Sequence, residues 1–461
     1  MPIKALHQFP RGFLWGCATA AHQVEGHNTN DWWRWEQTPG RIFENQRAGA
    51  ACDWWGGRYL EDFDRAGEMR NNAMRISIEW SRIEPEPGKW DEWTLDRYRE
   101  MLKALHDRGM TPMITLHHFT NPLWIADQGA WLWDDTPTKF GLFARKVVTA
   151  LGDLCTLWCT INEPMVYAFQ GYLFGVWPPG ISNTNAANRA VANLLRGHAI
   201  AYHAIKEIQP AAQVGYAHHQ IGISAQRPVF IHGLAARVGW DTFNGTFNYA
   251  LRDGVFRPPF GRAIPIPHLK GALDWIGLQY YKQYMFGFDL SKPTSLFVAQ
   301  KMPADLPLGP KDWGGFKPEG TFDHLRWLYK TLKKPIYVTE VGVPDPEDKI
   351  RPGYMIETVR AVWRAANFNF NVRGFFWWSL QDNFEWAEGR DPRFNFGLYK
   401  LDFETQERTP RTSAGLYREI CGQNGLSAET VERYAPELLP TMFPGRAGTN
   451  EVKLKPIKPS V

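Results

Sequence analysis

Eight short, apolar, β-rich runs recur along the chain, each followed by a longer stretch of helical pattern, and this alternation strongly limits the possible folds. The runs cover residues 13–19, 74–78, 112–117, 157–162, 214–218, 275–280, 336–339 and 375–379. Several are almost continuously apolar, which is typical of strands buried on both faces of a parallel sheet. Amphipathic stretches such as 95–107 and 189–208 lie between them. The alternation predicts an α/β fold, a single (β/α)8 TIM barrel with enlarged βα loops.

The domain organisation follows from the absence of breaks. No internal repeat, low-complexity tract or linker divides residues 9–425. We therefore predict one (β/α)8 domain over residues 1–461, with a core from about 9 to 425 and a C-terminal extension from about 426 to 461.

Composition excludes several classes of function. With 52 Lys and Arg against 48 Asp and Glu, the net charge of +4 is too balanced to indicate a nucleic-acid partner. The five cysteines are scattered without a CxxC pair, which favours reduced thiols over disulfides or metal binding. The chain has neither a signal-peptide pattern at its start nor a run of about 18 apolar residues. We expect a soluble, cytoplasmic protein without a membrane partner, its oligomeric state left open.

Polar or aromatic residues close most of the apolar runs. They are Arg75 within the second run, His117 and His118 after the third, Asn162 and Glu163 after the fourth, Gln279, Tyr280 and Tyr281 around the end of the sixth, Glu340 after the seventh and Trp378 in the eighth. In barrel enzymes the chemistry lies at the C-terminal ends of the strands. The pattern therefore predicts an active site at that end.

Two glutamates are the candidate catalytic residues. Glu163 stands in Cys-Thr-Ile-Asn-Glu-Pro, where Pro164 is expected to end the strand and keep Glu163 extended. Glu340 stands in Tyr-Val-Thr-Glu-Val-Gly, again just beyond apolar residues. A single such glutamate is more often a strand-end cap or an ion-pair partner. Two of them, on the fourth and seventh runs of one barrel, can converge across its mouth.

Paired carboxyl groups suit glycoside hydrolysis because its transition state resembles an oxocarbenium ion. One carboxylate attacks or stabilises the anomeric carbon while a protonated carboxyl group delivers a proton to the leaving oxygen. A separation of about 5–5.5 Å gives a retaining pathway and one of about 6.5–9.5 Å an inverting pathway. The residues alone do not distinguish these two outcomes.

An ordered set of motifs resembles glycoside hydrolase family 1, the β-glucosidase and β-galactosidase group. The set includes Met-Arg-Ile-Ser-Ile-Glu-Trp-Ser-Arg-Ile at 74–83, Leu-His-His at 116–118, Thr-Ile-Asn-Glu-Pro at 160–164, Val-Thr-Glu-Val-Gly at 338–342 and Trp-Ser-Leu-Gln-Asp-Asn-Phe-Glu-Trp at 378–386. The resemblance extends in order from residue 9 to about 425. It implies a retaining β-glycosidase of (β/α)8 fold that needs neither a cofactor nor a metal.

The resemblance also implies residue roles. Glu163 matches the acid/base and Glu340 the nucleophile of that family. Sugar-binding positions match Gln23, His118, Asn162, Glu385 and Trp386, with Trp378 under the ring, while Arg75 and Tyr281 match residues that touch the nucleophile. The implied substrates are small β-glycosides or short oligosaccharides with terminal non-reducing β-D-glucosyl, β-D-fucosyl or β-D-galactosyl residues. Alternatives are a transglycosidase that uses the same intermediate and a non-catalytic sugar-binding relative.

Each implied role has a chemical reason and an ordinary structural alternative. Arg75 can keep Glu340 ionised, and the ordinary structural alternative is a buried ion pair with a carboxylate of the core. Glu163, beside another carboxylate, should have a raised pKa and stay protonated. The indole of Trp378 can support a sugar ring or simply pack at the barrel rim. The pairs His117–His118 and 218–219 lack a pattern of further ligands for zinc, and 218–219 are interpreted as structural or as facing the leaving group.

The chain departs from the family pattern at four places. Val341 follows the nucleophile where Asn is usual, Phe119-Thr120 replaces Trp-Asp, and Gln279 replaces a shorter Asn in the sixth run. Segment 314–320 lacks the Trp that commonly lines the leaving-group subsite, for which Trp313 or Phe316 are candidate substitutes. The carboxylate expected at Glu385 would repel a phosphate, which favours unphosphorylated glycosides.

Overall fold

A closed ring of eight parallel strands forms the centre of the structure, a computed structural model that describes residues 5–259, 261–292 and 297–444. The strands are β1 (Leu14–Ala18), β2 (Ala73–Ser77), β3 (Thr111–His117), β4 (Leu157–Asn162), β5 (Gln213–Ala225), β6 (Trp275–Phe288), β7 (Ile336–Val341) and β8 (Val372–Trp378). Neighbours in the ring follow chain order, and β8 pairs with β1 to close it. Each predicted run overlaps one of these strands, so the predicted (β/α)8 barrel is confirmed.

Helices cover the outside of the ring and connect its strands. The longer helices are Tyr59–Glu68, Glu92–Asp107, Thr136–Leu151, Thr184–Ile208, Phe230–Trp240, Thr246–Asp253, Gly320–Leu332, Arg351–Asn367 and Thr412–Gln423. Two of them contain the predicted amphipathic stretches 95–107 and 189–208. Side-chain caps define their starts, since Asp91 accepts a hydrogen bond from the Thr94 amide and Asn183 accepts one from the Ala186 amide.

Short elements lie in the loops and at the ends of the described chain. Additional strands pair antiparallel as Leu6–Gln8 with Gly425–Ser427, Val255–Phe256 with Ile264–Pro265, Val298–Lys301 with β6, and Tyr399–Leu401 with Arg408–Pro410. Short α-helices are Ala21–Val24, Asp31–Trp35, Trp80–Ile83, Leu123–Asp127, Pro164–Ala168, Ala428–Tyr434 and Leu439–Met442. Of the predicted C-terminal extension, residues 445–461 lie outside the described residues.

Tryptophan contributes heavily to the buried core. The largest fully buried side chains include Trp15, Trp32, Trp54, Trp80, Trp131, Trp158, Trp275 and Trp377. Aromatic side chains remove a large apolar area from water, which stabilises the barrel. Some of the chain's 22 tryptophans thus serve the core. Trp378 and Trp386 instead stand at the C-terminal end of the strands, which is called the mouth below.

Candidate active site

The strand register brings the candidate residues to one level at the mouth. His219 of β5 pairs with Gln279 of β6, and Gln279 pairs with Glu340 of β7. On the other side of β5, Asn162 at the end of β4 pairs with Ala217. Parallel strands end at the same edge of a barrel, so residues far apart in the chain face one cavity.

The backbone of Glu163 differs from the prediction. Glu163 has φ 41° and ψ 58°, which is left-handed, so the expectation of an extended residue is wrong. Pro164 begins the helix Pro164–Ala168, where a missing N–H costs nothing, and the chain therefore turns sharply at the strand end. The Glu163 amide donates to the Ala217 carbonyl at 2.9 Å and anchors this turn to β5. Strained residues of this kind concentrate at active sites.

The carboxyl group of Glu163 is buried and its partner is a histidine. Oε1 of Glu163 lies 2.9 Å from Nδ1 of His219. Burial raises the pKa of Glu163 to about 8, although the positive charges of Arg75 and Lys282 lower it. The direction agrees with the prediction, but the main cause is burial rather than a neighbouring carboxylate. At neutral pH this side chain holds a proton that it can donate.

Glu340 has charged and hydrogen-bonding partners instead. Nη1 of Arg75 forms a buried ion pair with Oε1 of Glu340, and the Tyr281 hydroxyl donates to Oε2 at 2.6 Å. Burial raises the pKa of Glu340 to about 7; Arg75 and Tyr281 lower it, whereas Glu163 raises it. The ion pair with Arg75 and the hydrogen bond from Tyr281 thus favour the ionised form of Glu340. The partner of Arg75 is thus a carboxylate of the mouth and not of the core.

Two stacked rings connect the carboxyl groups. The imidazole of His219 lies over the ring of Tyr281 with centroids 5.5 Å apart and planes inclined by 19°. Each ring contacts one of the two glutamates, His219 contacting Glu163 and Tyr281 contacting Glu340. The stack keeps both polar contacts in fixed positions relative to each other.

Asn162 is the centre of a buried hydrogen-bond network. Its Oδ1 accepts from Nη2 of Arg75 at 2.6 Å and from Nε2 of Gln279 at 2.8 Å. These two donors define the orientation of the amide, so Nδ2 of Asn162 donates to Nε2 of His118 at 3.0 Å. Gln279, which departs from the family pattern, thus supports Asn162 through its side-chain amide. The second N–H of Asn162 donates to no other group among the described residues.

Several buried polar atoms of the motif residues at the mouth have no partner among the described residues. They include Oε1 of Gln23, Nε of Arg75, Nδ1 of His118 and Oε1 of Gln279. Because Nε2 of His118 accepts from Asn162 and burial keeps the pKa of His118 well below its usual value, Nδ1 carries the proton. An unpaired buried polar group costs about 1–3 kcal/mol. Hydroxyl groups of a sugar can supply both the donors and the acceptor that the two glutamines and His118 require.

Glu385 and two indole rings complete the predicted sugar-binding set. Oε2 of Glu385 accepts from Gln23 at 3.3 Å and from Asn383 at 3.2 Å. Burial raises the pKa of Glu385 to about 8. The ring centroids of Trp378 and Trp386 lie 6.1 and 6.0 Å from that of His118. The structure therefore brings together all the residues singled out from the motifs.

The two histidines left undecided have different environments. Nε2 of His218 bonds to the Asn244 carbonyl at 3.0 Å, so His218 has a structural role, whereas His219 contacts Glu163.

Lys282 is a residue that the sequence analysis did not identify; it follows Tyr281 in β6 and interacts electrostatically with Glu163. The sixth run was predicted to end at 280, but β6 continues to residue 288. The sequence signal that could have identified Lys282 is its positive charge directly after the polar residues at the end of the sixth run.

Trp313 and Phe316, the two candidate substitutes for the absent tryptophan, also differ. The indole of Trp313 lies 5.7 Å from the ring of Tyr281 and is only partly buried. Phe316 is buried and packs against Tyr354. Trp313 is therefore the one that borders the candidate site.

Within residues 5–259, 261–292 and 297–444, no group of three or more His, Cys, Asp or Glu side chains is arranged to hold a metal ion. No helix in this part of the chain has both the length and the apolar character needed to cross a membrane.

Known proteins are similar to this chain over nearly its whole length. The sequence profile of Glycosyl hydrolase family 1 matches residues 5–426. Beta-glucosidase A of Thermotoga maritima is 30% identical over 455 residues, covering 91% of this chain and 99% of that protein. A beta-galactosidase of Pyrococcus woesei is 30% identical over 509 residues, covering 92% and 99%. The solved structure of a β-glycosidase from Pyrococcus horikoshii has a TM-score of 0.86 at 34% identity, covering 93% of this chain and 98% of that one.

Proposed function

Because the chain belongs to glycosyl hydrolase family 1 and is a glycoside hydrolase, we propose that it removes terminal non-reducing β-D-glucosyl residues with retention of configuration. β-D-Galactosides and β-D-fucosides are further substrates in this proposal, and a relative named beta-galactosidase supports the first of them. The observation that carries the proposal is the unequal environment of two buried carboxyl groups. Glu340 is paired with a cation, whereas Glu163 contacts an imidazole.

The proposed reaction is a double displacement. The carboxylate of Glu340 attacks the anomeric carbon while Glu163 gives its proton to the leaving oxygen, which forms a glycosyl ester on Glu340. Arg75 and Tyr281 favour the carboxylate form of Glu340, whereas burial raises the pKa of Glu163 and favours its protonated form, so the required protonation states coexist near neutral pH. Esterification removes the charge of Glu340 and its repulsion of Glu163. Glu163 then accepts a proton from a water molecule that attacks the anomeric carbon, which breaks the bond to Glu340 and releases the β-anomer and the free Glu340 carboxylate.

Sugar recognition in this proposal uses the unpaired atoms of the mouth. Gln23 and Gln279 present acceptor oxygens and His118 presents an N–H. Asn162 offers its second amide proton to the 2-hydroxyl, a contact that strengthens in the transition state. The indole rings at the mouth give the sugar an apolar face.

Turnover of 4-nitrophenyl β-D-glucoside tests the proposal. We expect wild-type protein to release nitrophenol, with the β-anomer of glucose seen first by NMR, and Glu340→Gln to release essentially none. The matched control is Glu347→Gln, which makes the same change at an exposed glutamate paired with Lys349. Equal turnover by Glu340→Gln and wild type, or the α-anomer as first product, would contradict the proposal.

A further inference from the structure

A bulge in β6 alters the direction of one side chain beside the candidate site. The register of β5 and β6 sets two residues, Tyr281 and Lys282, opposite the single residue Ile221. Consecutive side chains of a regular strand point to opposite faces, and a bulge breaks this alternation. Lys282 can therefore approach the mouth together with Tyr281, instead of pointing toward the helical layer.

The ammonium of Lys282 lies over an aromatic ring. Nζ is 4.0 Å from the ring centroid of Trp313, a cation–π distance. The alkyl chain packs against Gly314, where an added Cβ would lie 2.8 Å from Cβ of Lys282. Close packing on this glycine and the indole defines the position of the side chain.

Lys282 has neither an ion pair nor a hydrogen bond within the described residues, although it is half-buried. Burial lowers its pKa to about 7, while the carboxyl groups of Glu163 and Glu385 raise it. Its three N–H donors are thus available to a ligand, and an anion bound there would further stabilise the ammonium form.

The position of Lys282 relative to Glu163 indicates which part of a substrate it meets. The acid must reach the leaving oxygen, so the leaving group lies on the Glu163 side of the sugar. Trp313, which lies under the Lys282 ammonium, is 5.7 Å from the ring of Tyr281, and Tyr281 stacks on His219, the partner of Glu163. The neighbouring indole of Trp313 adds an apolar surface suited to an aromatic ring.

We propose that Lys282, held over Trp313, binds an anionic group on an aromatic leaving group. Preferred substrates are then β-glycosides of phenols whose aromatic ring carries a carboxylate. This inference rests on the proposed function. It assigns a specificity-determining role to a residue outside the set that the motifs single out.

The test compares two substrates that differ in one charge. The probes are 4-carboxyphenyl β-D-glucoside and its neutral analogue 4-carbamoylphenyl β-D-glucoside, and the readout is the ratio of their kcat/KM values. We expect wild type to prefer the carboxylate substrate. In Lys282→Met the ratio of the two kcat/KM values should fall about tenfold, because a charge-assisted contact is lost. Lys282→Arg should keep most of the preference. Because both substrates are assayed on one preparation, partial loss of folded protein cancels.

Lys103→Met is the matched control, because it removes the same charge from an exposed position of helix Glu92–Asp107. Its ratio should equal that of wild type. An unchanged ratio in Lys282→Met, including equal losses on both substrates, would overturn the inference alone. If wild type hydrolysed neither glucoside nor 4-nitrophenyl β-D-glucoside, the proposed function would fail and this inference with it.

Discussion

Nδ1 of His219 lies 2.9 Å from Oε1 of Glu163, and both side chains are buried. Burial lowers the pKa of His219 to about 3, so the imidazole is neutral at physiological pH. A neutral partner orients the carboxyl group without adding the positive charge that would favour its ionised form. The contact is therefore compatible with a carboxyl group that stores a proton.

His219→Phe should impair proton delivery more than nucleophilic attack, because the oriented contact to Glu163 is lost while a ring remains. We expect kcat/KM for an alkyl β-glucoside to fall about tenfold more than for 2,4-dinitrophenyl β-glucoside, whose leaving group needs little acid assistance. His203→Phe, an exposed position on the outer helix Thr184–Ile208, is the control. Equal losses on both substrates would exclude a role in proton delivery.

The pH profile of kcat/KM should be bell-shaped. Activity rises with pH as Glu340 becomes ionised and falls as pH passes the pKa of Glu163, raised to about 8 mainly by burial. The apparent values belong to the pair, since the two groups interact. Glu163→Gln should abolish the alkaline limb on activated aryl glycosides and leave the acidic limb. An alkaline limb that persists in this variant would assign it to another group.

Glu340→Ala should lose activity by on the order of 10⁴-fold or more, as expected for loss of a nucleophile. Azide or formate should restore turnover, because a small anion fits the vacated space and attacks the same anomeric face. The rescued product should have the α configuration, which NMR distinguishes from the β-anomer. Glu163→Ala should behave differently, with larger losses on poor leaving groups, and azide should then yield a β-product. Absence of rescue in Glu340→Ala would count against the nucleophile assignment.

Arg408→Met should strongly destabilise the barrel. Nε of Arg408 lies 3.1 Å from Oδ1 of Asp62, and both side chains are fully buried. Removing Arg408 leaves the fully buried Asp62 carboxylate with the partly exposed Arg65 and the Trp54 indole as its remaining side-chain partners among the described residues. Loss of one partner of a buried ion pair costs up to about 3–5 kcal/mol. Arg34→Met, which breaks an exposed ion pair with Asp127, should cost far less. Denaturant unfolding monitored by tryptophan fluorescence measures both, and equal midpoints would refute the expectation.

Much of the fold and part of the site could be predicted from the residues. Strand runs and their polar ends are local patterns, because apolar side chains must be buried and barrel chemistry collects where strands end. The positions of Glu163 and Glu340 after the fourth and seventh runs followed from such patterns. The roles of the sugar-binding residues came from the family resemblance, and they remain predictions.

Contacts between distant residues could not be predicted in the same way. His219 meets Glu163 across 56 positions of sequence and Arg75 meets Glu340 across 265, through the register of neighbouring strands. The direction of the Lys282 side chain depends on a bulge in β6. The pairing of β6 with β5 shows this bulge, whereas the apolar and polar periodicity of the sequence does not.

The sequence by itself determined the barrel, its mouth and the two glutamates there. Strand periodicity, strand ends and motifs depend only on residues that are close to one another in the chain, and the order of the motifs can be read directly from it. Only the tertiary structure decided which partner each glutamate has, that Glu163 is left-handed, and that burial controls its pKa. Burial and register arise only when all eight strands close together, since desolvation and hydrogen-bond geometry depend on residues that the chain order keeps apart.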